Sequence, residues 1–139
     1  MDKEPYPNDA YPPQEIAHKV ERLDVAKAHA DILTLLVLAI LADAFISLGA
    51  LFFTVVVTES SLDFGPTRLL GGVSFSLGLI LVVVAGAELF TGNNLIAMAW
   101  ASRLIGTREI MRNWLLVYIG NMVGSLGVWL AIGARSVTD

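Results

Sequence analysis

The chain has 139 residues, 55% of them hydrophobic and 16% charged, with a mean hydropathy of +0.68. Soluble domains carry about 25% charged residues, so a water-soluble globular domain fits poorly. The net charge of −4 comes with no basic stripe for nucleic acid, and the absence of cysteine excludes a disulfide framework, a thiolate nucleophile and a Cys-ligated metal site.

Residues 1–31 are polar and hold Asp2, Glu4, Asp9, Glu15, Glu21, Asp24 and Asp31. Pro5, Pro7, Pro12 and Pro13 predict a disordered or extended start. A basic n-region followed at once by an apolar segment is missing, so the start is not a secretory signal peptide and is expected in the cytoplasm. From residue 13 to about residue 29, Ile16, Val20 and Leu23 recur at spacings of three and four. The pattern predicts an amphipathic helix near the membrane surface. Its apolar stripe is narrow, which favours a solvated helix packed on the protein's own cytoplasmic face. His18 and His29 are expected to be surface histidines.

The first spanning segment is predicted over residues 32–58, interrupted by Asp43. Asp43 is costly there unless paired or wet. A polar turn follows, with Pro66 able to open the next helix. Residues 68–104 are too long for one untilted span and too short for two with a loop. Residues 69–85 read as helix, the motif GAELFTGNN at residues 86–94 interrupts it, and an apolar run resumes at residues 95–104. The expected element is a broken helix: a span, an irregular loop at membrane depth, and a half-helix. A third span is predicted over residues 110–134, with Gly120, Gly124 and Gly127 at spacings that permit close helix contact. Residues 136–139 form a tail. A membrane domain of residues 32–135 thus follows an N-terminal segment of residues 1–31.

Charge bias sets the expected orientation. Lys3, Lys19, Arg22 and Lys27 precede the first span, and Arg103, Arg108 and Arg112 surround the turn after the broken helix. If both groups lie inside, Arg68 and Arg135 stay outside, and three crossings put the C-terminus outside.

The broken helix carries the functional argument. A bilayer offers backbone groups no water, so non-helical backbone at depth survives only when buried in protein or lining a wet cavity. Discontinuous helices are also where many transporters place substrate. Residues 86–94 are therefore the candidate site. The plainer reading is a tight turn followed by a re-entrant segment with no transport role.

The residues GGVSFSLGLILVVVAGAELFTGNNLI at 71–96 resemble the formate/nitrite transporter family, whose signature is a small-acidic-Leu-Phe-Thr-Gly run behind an apolar pair and a glycine. NWLLVYIGNMVGS at 113–125 resembles the family's third helix. The resemblance implies an all-α membrane protein with an aquaporin-like helical bundle. Each protomer has six helices in two inverted repeats, and this chain matches the first. It further implies a homo-pentamer in a bacterial-type cytoplasmic membrane, with a pore in each protomer. The implied substrates are formate, nitrite or similar small monovalent anions, or their neutral acids.

Roles carry over by position. Phe75 and Leu79, one helical turn apart, and Phe90 match residues of hydrophobic constrictions; core packing is the ordinary alternative. Thr91 matches a loop threonine that bonds a central histidine, or else caps a helix. Glu88 is expected to order the loop by accepting from nearby N–H groups, because a carboxylate in the path would repel anions. Gly86 and Gly92 shape the loop. Asn93 and Asn94 satisfy its backbone or start the half-helix. The implied mechanism is physical: a bare anion loses its hydration in a dry constriction, at a cost of many kcal/mol, whereas a neutral acid avoids most of that.

The family's central histidine and basic vestibule residues belong to the second repeat, which this chain lacks. The expected reading is a fragment of a full transporter. The other readings are a half-chain completed by a partner, an inactive half-transporter, or a structural membrane subunit. An aquaporin half fits less well, since Leu95 follows Asn93 and Asn94 where an Asn-Pro-Ala triplet would be needed. No nucleophile motif or metal-ligand spacing suggests an enzyme, and no cofactor is expected.

Overall fold

A computed structural model describes residues 11–136. The expectations for residues 1–10 and for the tail beyond residue 136 lie outside the described residues. Among the latter the architecture is all-helical.

Helix α1 (Pro13–Ala28) opens on a proline, whose missing N–H is no loss in a first turn. Its packing face differs from the expected Ile16–Val20–Leu23 stripe. Ile16 and Leu23 are exposed, while Asp24 and Ala28 are buried. Ala28 joins Ile96, Ala99, Ile105 and Ile110 in one core cluster. The large apolar groups of that cluster, Ile96, Ile105 and Ile110, come from later in the chain, and α1 meets them with a small residue, Ala28, beside half-buried Val25.

Helix α2 (Ile32–Val57) is capped by Asp31, whose carboxylate accepts from the N–H groups of Leu33 and Thr34 at 3.1 and 3.3 Å. Helix α3 (Phe64–Ala85) begins four residues before residue 68. Pro66 therefore lies inside its first turn, where no intrahelical N–H bond is lost. The expected irregular stretch at residues 86–94 is shorter than its composition suggests. Non-helical backbone covers residues 86–89, and α4 (Phe90–Asn93) and α5 (Ile96–Ala101) follow as short helical pieces. Helix α6 (Thr107–Ser136) runs unbroken for 30 residues.

Helix α2 is central, packed on α3 at one side and α6 at the other. Both contacts depend on absent side chains. A Cβ on Gly49 would stand 2.9 Å from the Phe75 carbonyl, and one on Gly78 would stand 2.7 Å from that of Phe45. On α6, a Cβ on Gly120 would strike Ala39, and one on Gly124 would strike the Ile40 carbonyl. Gly127, expected to share that role, has open space around its Cβ position.

Helices α2, α3 and α6 are long and apolar enough to cross a membrane. Their outward faces are apolar, as at Leu69, Val73, Val83 and Val84 on α3. In water such surface would be a liability; in lipid it is the expected solvent-facing side. The protein is an integral membrane protein.

Candidate functional site

The break is held from three directions. The chain leaves α3 through Gly86, whose φ of 62° is the left-handed conformation that glycine adopts without steric cost. The N–H of Ala87 bonds the Val82 carbonyl at 3.0 Å and that of Gly86 bonds Val83 at 3.2 Å, which closes the helix end. Next, the Glu88 N–H reaches across to the Leu38 carbonyl at 3.2 Å. Leu38 lies six residues into α2, roughly 9 Å along the helix at 1.5 Å per residue. The break is therefore inside the apolar layer, where each backbone group needs a protein partner.

Asn121 of α6 supplies most of the remaining partners. Its Oδ1 accepts from the Phe90 N–H at 2.8 Å. Its Nδ2 donates to the carbonyls of Glu88 at 3.0 Å and Ala39 at 2.7 Å. One amide thus joins the break, α2 and α6. A second amide pair lies further along: Asn93 donates to Asn113 at 3.2 Å, and both side chains are 1% exposed. Asn113 in turn donates to the Lys27 carbonyl, and the Trp114 indole donates to that of Asn93 at 3.0 Å.

Glu88 is expected to order the loop by accepting from nearby N–H groups, and the donor the structure gives it is a side chain. Its carboxylate accepts from the Lys27 ammonium of α1, at 2.9 Å, which also donates to Asn93 Oδ1 at 3.3 Å. The reason is charge: Glu88 is buried, and a cation balances its carboxylate, which neutral amides do only in part. Asp24, one turn before Lys27, is 4% exposed, and its Oδ2 has no hydrogen-bond partner. Burial pushes its pKa above the usual carboxylate value; nearby Glu88 adds to the rise and Lys27 opposes it. On the outer side of α1, the Glu21 carboxyl is held below its ordinary value, chiefly by the hydrogen bond from Ser102.

The residues expected to line a path are only partly brought together. Leu79, Thr91, Gly86, Glu88, Gly92 and Lys27 share an open groove of about 370 Å³. Phe75 lies one turn back along α3 and borders a separate apolar depression with Phe53 and Gly72. Phe90 is half-buried against Leu35, Ala39 and Val117, with its ring edge-on to Trp114 and Tyr118 at centroid distances of 6.3 and 5.7 Å. Thr91 is the second residue of α4 rather than its cap; Leu89 holds that place. Asn94 is exposed, whereas its neighbour Asn93 is buried. Asp43 is half-buried within α2. Among the described residues no group of three or more acidic or histidine side chains could hold a metal ion.

Lys27, Asn113 and Asn121 do not stand out from spacing alone. For Asn121 alone a signal is present, an amide in the middle of an apolar span, which must find a partner there.

The sequence profile described as "Formate/nitrite transporter" matches residues 14–139. The chain is 44% identical over 121 residues to the formate channel FocA of Escherichia coli (strain K12), covering 86% of this chain and 42% of that one. It is 42% identical over 118 residues to an uncharacterized transporter, YrhG, of Bacillus subtilis (strain 168), covering 84% and 44%. It is 31% identical over 132 residues to a probable formate transporter of Methanothermobacter thermautotrophicus, covering 91% and 48%. The chain thus spans less than half the length of these relatives. The matched residues include the spanning helices, the break and both amide clusters that hold it, and the chain belongs to the formate/nitrite transporter family.

Proposed function

We propose that the chain forms half of a pore that carries formate or a similar small monovalent anion, such as nitrite, or its neutral acid, across a bacterial-type cytoplasmic membrane. The observation that carries this reading is the break at residues 86–89, a stretch of opened backbone inside the apolar layer with Lys27, Thr91 and Leu79 around one groove. Relatives named as formate channels support the substrate class. The family resemblance supports an aquaporin-like bundle of two inverted repeats, assembled as a pentamer with a pore in each protomer.

The residues take distinct parts in this mechanism. Lys27 brings positive charge to the mouth of the groove and draws the anion there. Glu88 holds the Lys27 side chain in place rather than meeting substrate. Phe75, Leu79 and Phe90 make the apolar constriction, which disfavours a bare anion and passes a neutral acid. Thr91 offers a hydroxyl beside that constriction. The basic residues of α1 and of the α5–α6 turn lie at one end of the bundle, as the contact of Arg112 with the Ala30 carbonyl requires. That grouping favours an N-terminus on the cytoplasmic side.

Formate uptake into proteoliposomes holding the full-length protein tests the reading. Phe75→Ala and Leu79→Ala should each change formate flux several-fold, and Thr91→Ala should lower it. Uptake should also rise as the outside is acidified. Unchanged flux in all three variants would remove the proposed path.

A further inference from the structure

Helix α2 carries a single charged side chain, Asp43, in its 26 residues. From Ile32 to Asp43 the helix rises about 17 Å at 1.5 Å per residue, which is near the middle of roughly 30 Å of bilayer hydrocarbon. A carboxyl at that depth is costly unless it is paired, wet or used. The Asp43 side chain is half-buried, and among the described residues it has no hydrogen-bond or ion-pair partner.

The hydrogen bonds around the break fix where Asp43 stands. In the unbroken helix α2 its N–H bonds the Ala39 carbonyl, four residues back. That same carbonyl accepts from Asn121 Nδ2 at 2.7 Å, and Asn121 Oδ1 accepts from the Phe90 N–H at 2.8 Å. One amide thus ties the backbone at Asp43 to the backbone at Phe90. Leu35 and Ala39 lie on the α2 face against which Phe90 packs. Asp43 continues that spacing of four, about 6 Å further from α1. It therefore stands at the edge of the proposed constriction, on the side away from α1.

The packed elements bring no charge to this depth among the described residues. Arg68, the charged residue of α3, precedes Gly71, which packs on Val57 at the far end of α2. Glu88 of the break is held by Lys27. On α6 the charged residues are Arg108, Glu109 and Arg112 at its start and Arg135 at its end, and the titratable group between them is Tyr118.

We infer that Asp43 exchanges a proton with the carboxylate substrate as it meets the constriction, an assignment that rests on the function proposed above. The Asp43 O–H bond breaks, an O–H bond forms on a formate oxygen, and nothing is oxidised or reduced. The neutral acid then passes Phe90 without the desolvation cost of the anion. Asp43 regains its proton from water on its own side, so one proton accompanies each anion. A carboxyl suits the task because it and formic acid are acids of similar strength, and the proton moves either way at little cost. In its acid form Asp43 also donates a hydrogen bond to the anion, where a carboxylate would repel it.

Formate uptake by the full-length protein in proteoliposomes, followed against pH, tests this. Asp43→Asn keeps the shape of the side chain and removes the exchangeable proton. Its uptake should fall at least about tenfold at about pH 7 and come within about twofold of the parent at about pH 5, where bulk water itself supplies more of the acid. Asp43→Glu should restore most of the neutral-pH rate. The assignment is overturned if Asp43→Asn matches the parent at both pH values. It is also overturned if the variant loses the same factor at both, since a structural role lowers flux without changing its pH profile. In either case a parent that carries formate leaves the pore reading standing, whereas a parent no faster than protein-free vesicles removes that reading and this one together.

Discussion

Two helices in this protein end in the same turn, and the surroundings of the two turns differ. Helix α3 closes on Gly86 at φ 62° and α5 closes on Arg103 at φ 56°, with matching pairs of backbone bonds. Beyond Arg103 the chain lies at the end of the bundle, where local partners suffice: Glu109 accepts from the Gly106 N–H, and water is near. Beyond Gly86 the chain is inside the apolar layer, and its next backbone groups reach Leu38 on α2 and Asn121 on α6. A turn of one geometry thus needs tertiary support in one place and little in the other, because what must be replaced at depth is water.

The sharpest way to break that comparison is Asn121→Leu. It strips partners from the Phe90 N–H and the Glu88 carbonyl at once, and each buried unpaired group costs a few kcal/mol, so about 4 kcal/mol should be lost. Reversible unfolding in mixed micelles reads this directly, and a loss below 1 kcal/mol would mean that the break is held otherwise. Glu88→Gln comes next. Lys27 is 35% exposed, so solvent screens the pair and the loss should be about 1 kcal/mol. A similar effect, about 1 kcal/mol, is expected for Gly86→Ala from the left-handed backbone alone, since a Cβ there meets open space. The mirror experiment is Arg103→Gly, which should stabilise by about 0.5 kcal/mol. Equal signs for Gly86→Ala and Arg103→Gly would refute the view that the two turns share one geometry.

The smallest effect is on pH. Asp24 has a folded pKa above its ordinary 3.8, because burial disfavours its charge. Its contribution to docking of α1 is therefore complete below pH 3.8 and is lost as pH rises through the folded value. Asp24→Asn should slow amide exchange in α1 at pH 7 and leave it unchanged below pH 3.8. Slower exchange at both pH values would place the effect in packing rather than in charge.

Much of this was legible in the residues. Apolar runs longer than a bilayer is thick announce α2, α3 and α6, and the Gly-rich polar patch between two apolar runs announces a break. The extent of the break was harder to read. Composition suggested that irregular backbone would reach residue 94, yet residues 90–93 are helical, because Asn93 spends its polar groups on Asn113, Lys27 and Trp114 rather than on unwinding its own turn. The docking face of α1 likewise differs from the one its apolar period marks. Ile16 and Leu23 of its apolar stripe are exposed, and the face with Asp24 and Ala28 docks, because Ile96, Ile105 and Ile110 from later in the chain leave room for a small residue there, and Lys27 on the same helix meets Glu88.

By itself, then, the sequence determined the number of spans, the position of the break and the membership of the family. These rest on local quantities: run length, residue size, and the conformations glycine permits. Tertiary structure alone decided which groups hold the break. Lys27 and Glu88 are 61 residues apart, and Phe90 and Asn121 are 31 apart. No local periodicity joins them. They meet because α2 packs on both other spans, and because backbone opened in an apolar layer must find its partners within the protein.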